Sequence, residues 1–231
     1  MNIEVKNSVK PVDYNKSMEF LERRVEDILL GEKNELLWIL EHNTVYTAGT
    51  SSNRKDLINK NIKIIKTNRG GKHTIHSPGQ KIIYFVLNLN KRGKDVRKLV
   101  SKIETCIIEI LKEYKVKSCT DKKNIGIWVK KKNNLMKIAA IGIRVRKWIA
   151  YHGFAINVSN DLSKYKNIVP CGVKDKGITS LKEIGVNNLD KIEEIIAKKF
   201  FRYFSLRIFL KTVGTSAEKL YLVSAIEKLI L

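Results

Sequence analysis

Cys171 is the residue of this sequence whose neighbours are most typical of a nucleophile. It lies in the segment IVPCGVKDKGITSL (168–181), between Pro170, which fixes the preceding backbone, and Gly172, which leaves the thiol sterically open. A cysteine thiolate attacks carbonyl carbons and forms thioesters, so the chemistry predicted here is acyl transfer. A cysteine that only fills space remains the alternative, although such residues more often lie on an apolar helix or strand face.

The other two cysteines have different settings. Cys106 lies beside an apolar stripe with helical spacing, which predicts a core thiol, and Cys119 lies among lysines in a connecting segment. Three cysteines in a chain without a secretion signal argue against a disulfide framework.

The segment RGGKHTIHSPGQ (69–80) combines flexible backbone with polar side chains. Gly70 and Gly71 allow the backbone to adopt positive φ and to approach a ligand, and Pro78-Gly79 is typical of a turn. We expect a ligand-binding loop between two strands, with His73, Thr74 and His76 beside the flexible backbone. A tight loop with incidental histidines is the alternative.

Two further segments place small residues inside strand patterns. In KIAAIGIR (137–144), Lys137 opens an apolar strand in which small residues alternate with isoleucines, a pattern that marks the approach of a ligand or of another backbone. In HGFAIN (152–157), His152 and Gly153 predict a bulge or a close ligand contact. The alternatives are a strand-end lysine that reaches solvent and a hydrogen-bonded core histidine.

Composition narrows the class of protein. The chain has 231 residues and a net charge of +22, with its lysines spread along the whole length. It has no arginine-rich tract and no zinc-ligand spacing, which argues against a nucleic-acid partner. It also has no apolar stretch of about 20 residues and no signal-peptide core, so we expect a cytoplasmic protein without a membrane partner.

Hydrophobic periodicity predicts the elements that must position these residues. Helical spacing covers 14–29, where Gly31 can end the helix, 95–115 and 189–203, and TSAE (215–218) resembles a capping box for a last helix to about Leu229. Strands are predicted at 35–42, 62–67, 84–90, 124–131, 135–145 and 148–159, with turns at Asn133-Asn134 and Arg146-Lys147. This order indicates a two-layer α+β fold: one domain over 1–231, with a mixed, largely antiparallel sheet and flanking helices.

The four segments, taken together, resemble the octanoyltransferase family, also called lipoyl(octanoyl) transferases. They occur in that family's order and approximate spacing, and EHNTVYTAGTSS (41–52) resembles its upstream segment. The resemblance covers about residues 10–203, and residues 204–231 match nothing in the family. Ser77 is a departure, because the family usually has glycine there. The resemblance implies the catalytic fold of the biotin and lipoate protein ligases, which is similar to that of class II synthetases.

The resemblance also implies a reaction and its residues. Octanoyl would pass from octanoyl-acyl carrier protein to a lysine of a lipoyl domain. The lipoyl domain would belong to a 2-oxoacid dehydrogenase E2 subunit or to the glycine cleavage H protein. The enzyme would be a monomer and would need no cofactor or metal. Cys171 would be the nucleophile, Lys137 the residue that lowers its pKa, and His152, Pro170 and Gly172 would support them. The substrate-binding residues would be Arg69, Gly70, Gly71, Lys72, His73, Thr74, Ile75, His76, Ala140, Ile141, Gly142, Gly153, Phe154 and Ala155.

The chemistry agrees with this assignment. Thioester exchange is nearly neutral in energy and thioester-to-amide transfer is downhill, so ATP is not needed. Lys137 could stabilise the thiolate or accept the proton of the incoming amine, and N–H groups near Cys171-Gly172 or in the Gly70-Gly71 loop could bind the oxyanion. The alternatives are an ATP-dependent lipoate or biotin protein ligase, a cysteine peptidase, and a basic nucleic-acid-binding protein.

Overall fold

The computed structural model describes residues 2–132, 134–169, 176–205, 213–215 and 218–221. The helices are α1 (Tyr14–Leu30), α2 (Val96–Glu113) and α3 (Ile192–Phe204). The strands are β1 (Ile3–Ser8), β2 (Glu35–Leu40), β3 (Val45–Ala48), β4 (Ile64–Lys66), β5 (His73–His76), β6 (Gln80–Asn88), β7 (Cys119–Thr120), β8 (Ile127–Lys131), β9 (Asn134–Arg146), β10 (Ile149–Asn157), β11 (Gly177–Ile178), β12 (Val213–Thr215) and β13 (Glu218–Tyr221).

One large mixed sheet organises the described residues. Its order is β12-β13-β1-β2-β6-β10-β9-β8-β7, and β11 pairs with β9 beside this path. The pairs β1–β2 and β11–β9 are parallel and the others are antiparallel. A smaller sheet, β4-β3-β5, lies apart from it. The predicted α+β class with a largely antiparallel sheet is therefore confirmed.

Strand β6 shows how the sheet separates two apolar cores. Its side chains alternate, so that Ile82, Tyr84 and Val86 pack with the buried residues of α1. Ile83, Phe85 and Leu87 point to the other face and pack with the buried residues of α2 and α3. The helices thus lie on both faces of the sheet. This arrangement gives three layers, whereas two were predicted.

Local sequence signals explain the helix ends. The carboxylate of Asp13 accepts a hydrogen bond from the Lys16 N–H at 2.9 Å and begins α1, and Gly31, with φ of 79°, ends it. Asp95 begins α2 in the same way through Lys98 N–H. The predicted helices at 14–29, 95–115 and 189–203 are confirmed. None of the described helices is both long and apolar enough to cross a membrane.

The structure differs from four local predictions. Residues 73–76 form β5 instead of continuing the loop, because β3 provides a pairing edge. No bulge occurs at His152 and Gly153, since the β10 register runs unbroken to both neighbouring strands. The two-residue turn between β9 and β10 is Lys147-Trp148, one residue later than predicted. At the predicted turn before β9, Asn134 already belongs to the strand, and Asn133 lies outside the described residues.

The helix predicted from Thr215 to about Leu229 is wrong where the chain is described. Val213–Thr215 and Glu218–Tyr221 are antiparallel strands, and the second pairs with β1 from Val5↔Tyr221 to Ser8↔Glu218. The free edge of β1 supplies backbone partners that a local capping signal does not reveal.

Candidate active site

A cavity of about 620 Å³ lies beside β9 and β10 and contains most of the predicted site residues. The predicted residues that line it are Arg69, Gly70, Gly71, Lys72, His73, Thr74, His76, Lys137, Ala140, Ile141, Gly142, His152, Gly153, Phe154 and Ala155. Three separate sequence segments therefore meet at one place, as the expectation of a single site requires.

Lys137 is a buried residue in the wall of this cavity, with only 4% of its surface exposed. Its Nζ donates to the Ile125 carbonyl at 3.0 Å and lies 4.7 Å from the centre of the Trp128 ring. Trp128 on β8 is its cross-strand neighbour, and Ile178 on β11 pairs with it from the other side. A strand-end lysine that reaches solvent is therefore the wrong interpretation of this residue.

The segment that carries Cys171 is held at both ends by described contacts. Pro170, Cys171 and Gly172 themselves lie outside the described residues. Before them, the Val169 N–H donates to the Asp56 carbonyl at 2.7 Å. After them, the Thr179 N–H donates to the carbonyl of Lys137 at 2.9 Å. The chain on the far side of Cys171 is thus bonded directly to the residue predicted to assist it.

A buried hydrogen-bond network continues from this anchor to the cavity. Asn157 Nδ2 donates to the Thr179 carbonyl at 3.0 Å, and Asn157 Oδ1 accepts from Gln80 Nε2 at 2.8 Å. Gln80 Oε1 in turn accepts from His76 Nδ1 at 2.7 Å. All three side chains are nearly inaccessible to solvent, so the network fixes the orientation of each member.

Arg69 organises its own loop. Its Nη2 donates to the Thr47 carbonyl at 3.2 Å, to the Thr47 hydroxyl at 2.7 Å and to the Lys72 carbonyl at 2.9 Å. Its Nη1 donates to the Gly70 carbonyl at 3.1 Å. These contacts indicate that the buried guanidinium shapes the loop, in addition to lining the cavity.

The glycine loop lies against β9. Gly71 has φ of 91°, as predicted for this pair, and Gly70 N–H donates to the Ile143 carbonyl at 3.0 Å. A Cβ atom on Gly142 would lie 3.1 Å from the Gly70 carbonyl oxygen, so the small residue on the strand admits the loop. The Gly70 N–H is already bonded and is not available as the oxyanion donor suggested for this loop.

Gly153 allows β10 to lie close to the neighbouring strand β6. A Cβ atom there would lie 1.9 Å from the Ile83 carbonyl oxygen on β6, so any side chain would push the two strands apart. His152, just before it, has φ of 66°, a conformation that L-residues rarely adopt. The close approach at Gly153 is made by the backbone of β6, and the ligand contact predicted for His152 and Gly153, which both line the cavity, stays a prediction.

All four histidines of the chain are buried in or beside the cavity: His42, His73, His76 and His152. Burial lowers the pKa of His42 to about 4 and the pKa values of His76 and His152 to about 3. Burial also lowers the pKa of His73. The imidazoles are therefore neutral at pH 7.

Hydrogen bonds determine which nitrogen carries the proton in three of them. His42 Nδ1 donates to the Val12 carbonyl at 2.8 Å and its Nε2 accepts from the Tyr84 hydroxyl at 2.9 Å. His152 Nε2 donates to Asn68 Oδ1 at 2.6 Å, because the Asn68 amide nitrogen faces Glu22 and Tyr151. Nε2 of His76 and Nδ1 of His152 are then left as acceptors.

Two of the predicted substrate-binding residues, Ile75 and Lys72, make contacts outside the cavity. Ile75 does not line the cavity, because strand alternation turns it to a small cluster with Tyr165 and Ile168. Lys72 lines the cavity, but its ammonium also lies 3.7 Å from the Asp56 carboxylate.

The other two cysteines, Cys106 and Cys119, differ in burial. Burial raises the pKa of the Cys106 thiol to about 12, which keeps it protonated and confirms the core assignment. Cys119 is exposed on the short strand β7.

Sequence reasoning missed several lining residues. Tyr14 stacks on His76 with a centroid separation of 6.1 Å, although it was recognised only as the start of a helix. Ser51 and Ile143 lie inside the segments 41–52 and 137–144 but were not singled out there. No motif marks the remaining lining residues, which come from loops, strands and α2: Ile82, Tyr84, Val96, Val100, Lys123, Asn124 and Ile125.

Comparisons with known proteins identify the family of the chain. The family described as lipoyl protein ligase A/B catalytic domain matches residues 13–201. A relative from Wolbachia sp. subsp. Brugia malayi, named octanoyltransferase, is 45% identical over 195 residues, which cover 84% of this chain and 95% of the relative. Another of that name, from Ehrlichia chaffeensis, is 44% identical over 206 residues, 88% of this chain and 96% of its own.

Solved structures share the fold at low identity. The putative lipoate protein ligase Ta0514 of T. acidophilum with bound lipoic acid has a TM-score of 0.65 at 15% identity, with 87% of this chain and 85% of that one covered. A lipoate-protein ligase A bound with ATP has a TM-score of 0.64 at 13% identity, with 87% and 85% covered. The predicted fold is confirmed, and the chain belongs to the lipoyl protein ligase A/B catalytic domain family.

Proposed function

We propose that this protein is an octanoyltransferase that moves an octanoyl group from a carrier-bound thioester, through a thioester on Cys171, to a lysine of a lipoyl domain. Relatives more than 40% identical over most of the chain carry the name octanoyltransferase. The observation that carries the proposal is the buried ammonium of Lys137. Lys137 lies in the cavity wall, and its backbone carbonyl accepts a hydrogen bond from the Thr179 N–H, on the chain beyond Cys171.

In the first half-reaction, the thiolate of Cys171 attacks the carbonyl carbon of the donor thioester. A new carbon–sulfur bond forms, the carbon–sulfur bond to the donor breaks, and the donor thiolate leaves and takes up a proton. One thioester replaces another, so the step needs no nucleotide. A free thiol is mostly protonated at pH 7, so the enzyme must stabilise the thiolate.

Lys137 supplies that stabilisation. Within the described part of the chain, its Nζ donates to one carbonyl and no carboxylate lies within ion-pair distance. Its positive charge is therefore not neutralised by a permanent partner and is available to an anion in the cavity. Both the thiolate and the oxyanion of the tetrahedral intermediate are such anions.

The cavity wall provides an apolar surface for the acyl chain. Ala140, Ile141, Phe154 and Ala155 on β9 and β10 line it, together with Val100 of α2. Each buried CH₂ group contributes about 0.8 kcal/mol, so a medium-length chain gains several kcal/mol from this surface. The short side chains at 140 and 155 leave the room that the chain needs.

In the second half-reaction, the lysine amine of the lipoyl domain attacks the acyl-enzyme. An amide forms, the Cys171 thiolate leaves, and the amine loses a proton. The departing Cys171 thiolate takes up the proton that the amine loses, which regenerates the thiol. Neutral His76 and His152 line the same cavity, and their acceptor nitrogens can accept a hydrogen bond from the attacking amine.

Intact-mass measurement tests the proposal. After incubation with octanoyl-acyl carrier protein, we expect a mass increase of one octanoyl group, which disappears in Cys171→Ala. The matched control is Cys119→Ala, because Cys119 is exposed and should retain the adduct. An adduct that persists in Cys171→Ala contradicts the proposal. Product formation from free octanoate and ATP, but not from the carrier-bound thioester, would instead identify a ligase.

A further inference from the structure

The turn between β9 and β10 presents an exposed tryptophan. Trp148 is 40% exposed, and both turn residues have left-handed backbone, with φ of 46° at Lys147 and 63° at Trp148. Two-residue turns of this kind favour Asn-Gly, and a bulky side chain at positive φ is strained. Neither burial nor turn geometry explains a tryptophan here, and strain of this kind points to a role outside folding.

Contacts with the segment before α2 hold this turn in place. The Leu89 N–H donates to the Trp148 carbonyl at 2.7 Å, and Asn90 Nδ2 donates to the Lys147 carbonyl at 3.5 Å. Lys94 Nζ lies 5.9 Å from the centre of the Trp148 ring. The two segments form one exposed surface, which we call the Trp148 patch and define as Lys91, Lys94, Lys147 and Trp148.

The patch adjoins the cavity. Val96, two residues after Lys94, lines the cavity and is 36% exposed, so it belongs both to the cavity wall and to the protein surface. Trp148 is thus joined to the cavity rim through Lys94 and the first turn of α2. A molecule bound on the patch would lie beside this part of the cavity rim.

The patch is strongly cationic. Among the described residues, Lys91, Lys94 and Lys147 have no carboxylate within ion-pair distance, in contrast to the nearby Arg92 and Arg146, which pair with Glu35 and Glu26. Exposed Arg97 and Lys98 extend the positive charge into α2. Asp95 is the single acidic residue between 88 and 98, and its carboxylate caps α2.

We propose that the Trp148 patch is the docking surface for the acidic carrier domain that delivers the octanoyl thioester. This inference rests on the proposed function. Charge complementarity favours the donor as the molecule that binds the patch. The arm of a carrier domain brings a phosphate to the edge of the cavity, and the lysines of the patch attract it. The acceptor brings a cationic lysine, which the same lysines repel. Tryptophan adds the large, amphipathic contact that dominates many protein interfaces, and the lysines accelerate encounter.

The rate of acyl-enzyme formation with two donors tests the inference. One donor is octanoyl-acyl carrier protein, and the other is octanoyl-pantetheine, which has no protein to dock. For Lys94→Glu/Lys147→Glu and for Trp148→Ala, we expect kcat/KM to fall about tenfold or more with the carrier-bound donor at low salt. With octanoyl-pantetheine it should stay within about twofold, which also shows that the variants fold.

The matched control is Lys112→Glu/Lys117→Glu, with the same charge change at and just beyond the opposite end of α2, where Lys112 lies about 24 Å along the helix from Val96. It should retain both rates. Equal rates of wild type and patch variants with the carrier-bound donor would overturn the inference. So would slower transfer from preformed acyl-enzyme to the lipoyl domain with unchanged acylation, which would assign the patch to the acceptor. If wild type forms no acyl-enzyme from either donor, the proposed function itself fails.

Discussion

The ammonium group of Lys137 lies 4.7 Å from the centre of the Trp128 ring, its neighbour on the adjacent strand. The ring face and the Ile125 carbonyl, 3.0 Å away, stabilise the buried charge without neutralising it. No carboxylate of the described residues lies within ion-pair distance of this ammonium, so its positive potential remains inside the cavity.

Removal of this charge should raise the pKa of the Cys171 thiol. In Lys137→Met, which removes the ammonium and keeps an unbranched side chain out to Cε, we expect an increase of about one unit, because an opposite charge close to the thiolate is lost. The pH dependence of the alkylation rate at Cys171, followed by peptide mass analysis, measures it. Lys131→Met, at an exposed lysine of β8, should leave the midpoint unchanged. Equal midpoints for Lys137→Met and wild type would exclude the role of Lys137 as charge partner.

Asn157 should position the segment around Cys171 through Thr179. Asn157→Ala leaves the Thr179 carbonyl without its side-chain donor and removes the oxygen that accepts from Gln80 Nε2, which keeps only its 3.1 Å bond to the Tyr165 hydroxyl; this should lower the free energy of unfolding by about 2 kcal/mol. The single-turnover rate of acylation should also fall, with little change in the thioester concentration for half-maximal rate. Asn160→Ala is the control, since within the described part of the chain the Asn160 side chain contacts this network through a single 3.3 Å bond to Asn157. A normal rate in folded Asn157→Ala would limit Asn157 to a structural role.

The buried histidines should make the protein less stable in acid. The pKa values of His42, His76 and His152 are about 4, 3 and 3, well below the ordinary value near 6.5. Below about pH 6.5 the unfolded chain binds protons that the folded state excludes, so stability falls as the pH drops towards 4. Each histidine contributes up to about 1.4 kcal/mol per pH unit.

Urea unfolding at pH 7.5, 6.5 and 5.5 measures this slope. His76→Gln removes one of the three groups and should flatten the slope in the acid range while leaving the region above pH 7 unaffected. A slope identical to that of wild type would show that His76 titrates normally in the folded protein.

Ser77 should be replaceable with a gain in stability. It is 1% exposed, and its hydroxyl has no hydrogen-bond partner among the described residues. Ser77→Ala should therefore increase the free energy of unfolding by about 1 kcal/mol, as judged by urea denaturation. Ser77 is not among the residues with positive φ, so the glycine usual in the family is not required by the backbone. A loss of stability in Ser77→Ala would mean that the hydroxyl has a partner.

Sequence was most informative where local chemistry and packing agree. Asp13 and Gly31 mark the ends of α1 because capping is a local interaction, and the stripe that contains Ile103 and Ile107 predicts α2 because one helix face must be buried. The site segments were recognisable because a cavity wall built from strands requires small residues and glycines in otherwise apolar runs.

Long-range contacts explain what sequence did not reveal. The position of Tyr14 against His76 depends on how α1 lies on the sheet, and the pairing of β13 depends on the free edge of β1. Burial of Lys137 depends on β8 and β11 covering it from both sides, and no spacing of residues near 137 encodes that. Tertiary contacts of this kind override local signals.

β11 joins the sheet through only two residues, which pair with Met136 and Lys137, whereas β10 runs along β9 for eight. The energy needed to detach β11 is accordingly a small part of the energy needed to unfold the sheet. Amide protons at Ile178 and Thr179 should therefore exchange with solvent through local opening, while those of β10 exchange only by global unfolding. The pairing of Gly177 and Ile178 with β9 should therefore open locally while the longer pairing of β9 with β10 stays intact.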